Sequence, residues 1–94
     1  MATFFMFGRY SSTALEKISP ERTTKVIDTL RSLGGEVKAI YALFGEHDLV
    51  LIVDFSQMEQ AMKASVAITK MTGISFTTSQ AVSVEDFDKM MTEL

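Results

Sequence analysis

The sequence predicts an α+β domain of the ferredoxin-like type, in which helices cover one face of a four-stranded antiparallel sheet. The segment Glu36–Phe55, EVKAIYALFGEHDLVLIVDF, divides into two strand-like stretches around a short turn at Gly45–Asp48. Within it, Leu49–Val53 is an unbroken run of Leu, Val and Ile, which is typical of a strand buried on both faces. The whole chain reads β-α-β-β-α-β plus a terminal helix, and this order defines the split βαβ arrangement.

The first half of the chain supplies a second central strand and the first long helix. Thr3–Tyr10, TFFMFGRY, is apolar on both faces as far as its glycine, so it is expected beside the Leu49–Val53 strand. Thr13 and Glu16 have capping-box spacing and predict one short helical turn. Ser19 then caps a longer helix. Its apolar positions, at helical spacing before Gly34-Gly35 stops it, are Val26, Ile27, Leu30 and Leu33.

The second half of the chain supplies another helix, the last strand and a terminal helix. The S-x-x-E box at Ser56–Glu59 opens the helix, and Gly73 ends it. Ile74–Gln80, ISFTTSQ, alternates as a strand does, and Ser83 caps the terminal helix. The second helix is expected to bury Met58, Ala61, Met62, Ser65, Ile68 and Met71, and the terminal helix carries a stripe of Phe87, Met90, Met91 and Leu94.

Composition indicates one packed domain over residues 1–94. The chain is 47% hydrophobic and 22% charged, which excludes a disordered chain. A net charge of −3, with scattered basic residues and no helix-turn-helix pattern, predicts no nucleic-acid binding. The apolar amino terminus lacks a basic leader and breaks at Gly8-Arg9, so we expect no membrane segment and a cytoplasmic location.

The sequence carries no motif for a metal or an organic cofactor, and we expect neither. With no cysteine and a single histidine, a zinc site built from this chain alone is not expected. No G-x-S-x-G, P-loop or G-x-G-x-x-G pattern is present, so nucleophile elbows and phosphate-binding loops have no support.

The face of the sheet without helices is predicted to be apolar. Alternation along the strands assigns it Phe5, Phe7, Ile40, Ala42, Val50 and Ile52, together with Arg9, Lys38, Asp54, Ser75 and Thr77. Monomers rarely expose an apolar patch of that extent, so we predict a symmetric dimer that packs sheet on sheet, in the manner of dimeric α/β barrels. As alternatives, the terminal helix folds over this face or exchanges onto the partner.

Polar residues are predicted to meet at one end of the sheet. Because the first and third strands are antiparallel, Arg9 and Tyr10 end beside His47 and Asp48, and the fourth strand brings Ser75 to the same end. A ligand pocket here would use Arg9 for an anionic group and His47 as a hydrogen-bond or proton-transfer group. Its other candidate lining residues are Tyr10, Tyr41, Glu46, Asp48 and Ser75. A structural alternative stays open, in which Asp48 only bonds within the turn, His47 is exposed and Arg9 pairs with a nearby acid.

Three stretches resemble the GYD domain family over nearly the whole chain: TFFMFGRYSS, GEHDLVLIVDF and MKASVAITKMTGISFTTSQAV. These are small stand-alone proteins. The family's turn pattern is G-x-Tyr-Asp, and this sequence has His47 where the family has tyrosine. The turn is also similar to the ligand-binding domains of Lrp/AsnC-type regulators, dimeric ferredoxin-like modules that bind amino acids at subunit interfaces. That resemblance implies an effector site at or near Gly45, His47 and Asp48.

Two functional hypotheses follow. The first is a small homo-oligomer that binds a small metabolite at a subunit interface through the cluster around Arg9 and His47. The second is a dimeric α/β-barrel enzyme of the oxygenase or isomerase type, working in the cleft between helices and sheet, with His47 as acid or base and Asp48 orienting it. An interaction subunit without a ligand is a third alternative.

Overall fold

The computed structural model describes residues 1–94 and contains four strands and four helices. In chain order the elements are β1 (Ala2–Tyr10), α1 (Ser12–Glu16), α2 (Pro20–Ser32), β2 (Glu36–Ala42), β3 (Leu49–Phe55), α3 (Met58–Thr72), β4 (Ile74–Ala81) and α4 (Val84–Thr92). None of the helices has both the length and the apolar composition that a membrane crossing requires.

The strands form one antiparallel sheet in the order β2-β3-β1-β4. The predicted ferredoxin-like α+β fold is confirmed, and the two most apolar strands, β1 and β3, are central. Phe4 pairs with Val53 across this central pair, and Arg9 pairs with Ser75 on β4. The register therefore brings the end of β1 and the starts of β3 and β4 to one end of the sheet.

The core lies between α2, α3 and one face of the sheet. Phe4 and Phe55 meet edge to face, with ring centroids 5.8 Å apart. Gly8 continues the buried row of β1, and a Cβ there would lie 3.0 Å from side-chain atoms of three neighbours. The buried cluster comprises Phe4, Met6, Val26, Leu30, Leu51, Val53, Phe55, Ala61, Ala64 and Ile68. Because β1 alternates, its other residues lie on the opposite, helix-free face.

The prediction for β2 was wrong at Ile40 and Ala42. A β-bulge between Val37 and Ala39 shifts the register, so Ile40 pairs with Leu51 and Ala42 pairs with Leu49, on the helix side of the sheet. A bulge inserts one residue into a strand and thereby reverses the faces of the residues that follow. Tyr41, opposite Val50, takes the place on the helix-free face instead.

Two helix caps differ from prediction by one or two residues. Ser11, rather than Thr13, caps α1: its Oγ accepts a hydrogen bond from the Ala14 N–H at 3.0 Å. At α3 the cap is Gln57 rather than Ser56, and Gln60 Oε1 accepts from the Gln57 N–H at 3.1 Å. A glutamine amide satisfies a free backbone N–H as well as a glutamate does, and this competes with the S-x-x-E pattern. The α2 cap at Ser19 is as predicted.

Helix α3 buries part of the predicted stripe: Ala61 and Ile68 are buried as predicted, and the prediction was wrong for the methionines. Ala61, Ala64 and Ile68 are buried against the sheet, whereas the predicted Met58, Met62 and Met71 are exposed. Two apolar ridges run side by side on α3, and the one with small alanines lets the helix approach the strands closely. The predicted Ser65 is partly buried, and its hydroxyl hydrogen-bonds the Thr78 hydroxyl at 2.7 Å.

The terminal helix α4 does not fold over the helix-free face. None of its residues is buried, and its apolar stripe of Phe87, Met90, Met91 and Leu94 is exposed. Its cap is as predicted, with Ser83 Oγ accepting from the Asp86 N–H at 3.1 Å. The alternative in which α4 shelters its own sheet is therefore wrong for the single chain.

Candidate functional site

The connection between β2 and β3 is fixed to β1 by two hydrogen bonds of Asp48, and a third closes the connection itself. The Asp48 N–H donates to the Gly8 carbonyl at 2.8 Å, and the Asp48 carbonyl accepts from the Leu43 N–H at 2.9 Å. The Asp48 carboxylate accepts from the Tyr10 N–H at 2.8 Å. Its role in the structure is thus to hold the turn against β1, whereas the structural alternative placed the hydrogen bonds of its side chain within the turn.

His47 lies over the helix-free face. Its ring centroid is 5.1 Å from that of Phe7, with the planes inclined at 39°, and the residue is partly buried. Because Asp48 anchors the turn, the residue before it is directed onto the phenylalanine. The imidazole is therefore held in place by stacking, and no hydrogen bond within the chain occupies its nitrogens.

Arg9 is an exposed cation on the same face. It follows Phe5 and Phe7 in the alternation of β1 and lies opposite Ser75 of β4. The predicted structural alternative, a pair between Arg9 and a nearby acid, is not found. The ion pairs of the chain join Lys38 to Glu36 and Asp54, and Lys89 to Glu85. The guanidinium of Arg9 thus has no acidic partner within the chain.

Tyr10 lies on the other side of the sheet from Arg9, so the structure does not bring it into the cluster. Its ring is covered by the Arg22 guanidinium, whose central carbon lies 5.4 Å from the ring centroid. Arg22 also donates to the Ala14 carbonyl, which ties α2 to α1. Neighbouring residues of a strand point to opposite faces, so Arg9 and Tyr10 cannot line the same pocket.

The structure therefore divides the predicted site residues into three groups. Arg9, Tyr41, His47 and Ser75 lie toward one end of the helix-free face. Asp48 lies beside them, but its carboxylate is engaged by the backbone of β1. Glu46 is exposed in the turn, with no hydrogen bond or ion pair to the rest of the chain, and Tyr10 lies beneath α2.

The helix-free face is apolar near His47 and polar at its opposite end. Phe5 and Phe7 lie 6.2 Å apart between ring centroids, and β3 adds Ile52 and Val50, of which Val50 is only 5% exposed. At the other end the Thr3 hydroxyl donates to Asp54 Oδ1 at 2.7 Å. The apolar part, which we call the open-face patch, consists of Phe5, Phe7, Tyr41, Val50 and Ile52.

The cleft between the helices and the sheet is small and contains no acid or base from the predicted set except Tyr10. Its cavity of about 70 Å³ is lined mainly by apolar side chains, with Tyr10, Arg22 and Thr23 as the polar ones. His47 is on the opposite face. Arg22 was not predicted from the sequence as a lining residue of this cleft. Its position four residues before the core residue Val26 was the available signal, because that spacing places it on the sheet side of α2. No three His, Asp or Glu side chains gather into a group that could hold a metal ion.

Comparison with known families identifies the chain. The model of the GYD domain matches residues 4–91. The chain belongs to the GYD domain family. The resemblance seen in the sequence is therefore confirmed, and the match includes the turn with His47 as well as most of α4. A search of curated proteins found no match to this GYD protein.

Solved structures similar to this GYD protein include domains of Lrp/AsnC-type regulators. The leucine response regulatory protein LrpA of Mycobacterium tuberculosis aligns with a TM-score of 0.58 and 13% identity over 87% of this chain and 51% of that one. An AsnC family transcriptional regulator from Agrobacterium tumefaciens gives 0.59 and 18% over 87% and 50%. FFRP-DM1 gives 0.58 and 24% over 87% of this chain and 100% of its own.

These likenesses establish a shared fold. This GYD protein spans about half the length of the two regulators, and the fold they share is that of one domain within each of them.

Proposed function

We propose that this GYD protein is a homo-oligomer that binds a small organic anion, such as an amino acid or another short carboxylic acid, between two open-face patches. The observation that supports this best is the pairing on one face of a stacked imidazole and a free cation. His47 lies on Phe7, and Arg9, two residues along the same strand, has no acidic partner.

The open-face patch gives a physical reason for association. Phe5, Phe7 and Ile52 are partly exposed and Tyr41 is 58% exposed, and apolar surface of this kind is often covered by association. A two-fold axis parallel to the plane of the sheet, lying in the interface, would set the patch of one copy against the same patch of another. Two packed sheets lie about 10 Å apart, which leaves His47 and Arg9 at the margin of the interface, where a small ligand can enter.

The chemistry of the site favours a carboxylate. A guanidinium presents a planar fork of donors that matches two carboxylate oxygens. The Ser75 hydroxyl lies on the neighbouring strand opposite Arg9 and can add a donor, and Phe7 and Tyr41 offer apolar surface to the rest of the ligand. One structural neighbour is a leucine response regulatory protein, which makes amino acids the first compounds to test.

Thermal-shift screening of amino acids and short organic acids tests the binding site. A compound present at 100 times its Kd adds about 2.7 kcal/mol of stability. For a domain of this size each kcal/mol raises Tm by roughly 4–8 °C. The variant Arg9→Ala is expected to lose the shift, whereas Arg31→Ala, an exposed arginine at the end of α2, keeps it. A screen in which no compound raises Tm would contradict the proposal.

Multi-angle light scattering tests the interface. Phe7→Ser places a hydroxyl in the centre of the patch and is expected to reduce the molar mass of the oligomer. A chain that stays monomeric at millimolar concentration would contradict the subunit-interface site, even if a ligand bound.

If the protein is an enzyme, we expect its active site on the helix-free face and not in the cleft between helices and sheet. An acid or base at His47 could not serve a substrate in the cleft between helices and sheet, because the imidazole lies on the other side of the sheet. If the protein converts a substrate, we expect the reaction at the open-face patch, with His47→Phe inactive.

A further inference from the structure

Helix α4 carries an apolar stripe, and none of its residues belongs to the buried core. Its cap is well formed, and Lys89 pairs with Glu85 at 3.7 Å within the helix. Yet none of its residues is buried, and Phe87, its largest apolar side chain, is 48% exposed. A helix of nine residues is marginal in water by itself, and helices of this length owe their stability to packing of the apolar face. The stripe is therefore expected to pack against another apolar surface.

That partner is not α3 of the same chain. Ser83 and Asp86, at the start of α4, line a shallow cavity together with Thr3 and Phe5, which lie on the helix-free face. The helix thus leaves β4 on the side of the sheet away from α3. The connection from β4 consists only of Val82 and Ser83, which is too short to pass around the sheet edge while both elements keep their positions.

The outer side of α3 is a second apolar surface without a partner. Met58, Met62 and Val66 recur every four residues on one ridge and are exposed, Met62 by 62%. Beside them runs a groove of about 350 Å³, whose apolar floor includes Phe4 and Phe76. We call this surface the α3 groove; its full lining is Phe4, Met58, Ala61, Met62, Ser65, Val66, Phe76, Thr78 and Gln80.

The charges that border the two surfaces are complementary. Lys63 and Lys70 border the outer ridge of α3 next to Met62 and Val66, and Glu59 is the single acid of that helix. Helix α4 has the inverse composition: Lys89 is its single base. Its acids are Glu85, Asp86 and Asp88, with Glu93 following at its end. Apolar stripes of similar length with opposite flanking charge are the features expected of two helices that pack together.

We infer that α4 of one copy docks into the α3 groove of a second copy. Phe87 and Met91, one helical turn apart, would enter the groove between Met62, Val66 and Phe76. The acidic flank of α4 would then lie along Lys63 and Lys70. This contact is separate from the open-face patch. If the two contacts join different pairs of chains, the assembly is larger than a dimer. If they join the same two chains, the assembly is a dimer with exchanged terminal helices.

Charge exchange in the full-length chain tests the contact. Sedimentation velocity over a concentration series gives the molar mass of each variant and the Kd of each association step. Lys63→Glu with Lys70→Glu, and separately Glu85→Lys with Asp88→Lys, are each expected to weaken one association step by about tenfold, which corresponds to about 1.4 kcal/mol. Combining all four substitutions is expected to restore that step.

Matched controls separate this contact from a general effect of charge. Lys17→Glu with Lys25→Glu changes the net charge equally on another part of the surface and is expected to leave the step unchanged. Phe87→Ser is expected to abolish the step while the domain stays folded by circular dichroism, because no core residue comes from α4.

The outcomes that overturn the inference are distinct. If the α3 double variant and the α4 double variant each weaken association, but the variant with all four substitutions does not regain it, then α4 and the α3 groove do not contact each other. If Phe87→Ser lowers Tm without changing the mass at any concentration, α4 packs within its own chain. Failure of the open-face interface has a different signature, since Phe7→Ser would then leave the mass unchanged while the α4 variants still reduce it.

Discussion

Replacement of Asp48 by alanine is expected to loosen the turn that presents His47. The substitution removes the carboxylate that accepts the Tyr10 N–H at 2.8 Å, while the two backbone hydrogen bonds of residue 48 can persist. Hydrogen bonds to charged groups contribute roughly 1.5–3 kcal/mol, and partial exposure of this aspartate favours the lower half of that range. A loss of about 2 kcal/mol corresponds to a fall in Tm of roughly 8–16 °C.

Urea denaturation at a fixed protein concentration measures this loss. Glu46→Ala is the matched control, because it removes a carboxylate two residues away that makes no hydrogen bond, and it is expected to change stability by less than about 0.5 kcal/mol. Asp48→Asn keeps an acceptor without the charge and should retain about half the contribution, since charge-assisted bonds are roughly twice as strong as neutral ones. Equal effects of Asp48→Ala and Glu46→Ala would refute the anchoring role.

Three further predictions concern the fold, each measured by urea denaturation. Ile68→Ala should cost about 2–5 kcal/mol because it opens a cavity under α3, whereas Met62→Ala, on the exposed ridge, should cost less than about 0.5 kcal/mol in the dissociated chain; equal losses there would contradict the observed face of α3. Gly73→Ala should cost about 1–2 kcal/mol, because the residue ends α3 with a φ of 77°. Gly8→Ala should cost about 1–3 kcal/mol by overpacking, since its Cβ would lie 3.0 Å from Leu49; no loss would mean that the core there can expand.

The fold could be predicted from the sequence because several local signals agree. The apolar runs of β1 and β3 require two covered faces, and only the central positions of the sheet provide them. Ser19 and Gly73 mark helix ends through their hydrogen bonding and backbone freedom, which are properties of the residues themselves. The bulge in β2 has no such signal, because it depends on how the strand fits β3 rather than on any residue of Glu36–Ala42.

The site could be predicted in part. Antiparallel pairing correctly indicated that Arg9, His47 and Ser75 share one end of the sheet. The assignment of Tyr10 to the same pocket was wrong, although strand alternation alone contradicts it. The position of Tyr41 could not be predicted, because its face depends on the bulge. For α3, helical spacing correctly indicated Ala61 and Ile68 but did not separate their ridge from the adjacent methionine ridge. The close approach of a helix to a sheet favours alanine over methionine, and hydrophobicity alone does not express that preference.

The turn is best understood as a device that holds one aromatic side chain over the sheet. Asp48 fixes the backbone beside Phe7, and His47 stacks on that ring. We expect a tyrosine, which the family pattern has at this position, to stack there in the same way. His47→Tyr should therefore keep stability within about 0.5 kcal/mol. The His47→Tyr variant should also bind any ligand identified by the thermal-shift screen, because the phenol can stack and donate a hydrogen bond as the imidazole does.

His47→Ala, by contrast, should lose the ligand together with the stacking contact. Isothermal titration calorimetry of the His47→Tyr and His47→Ala variants shows whether ligand binding needs any aromatic ring at residue 47 or specifically an imidazole. If the tyrosine variant binds as poorly as the alanine variant while both remain folded, the imidazole itself is required, and the account of the turn as a holder of interchangeable rings fails.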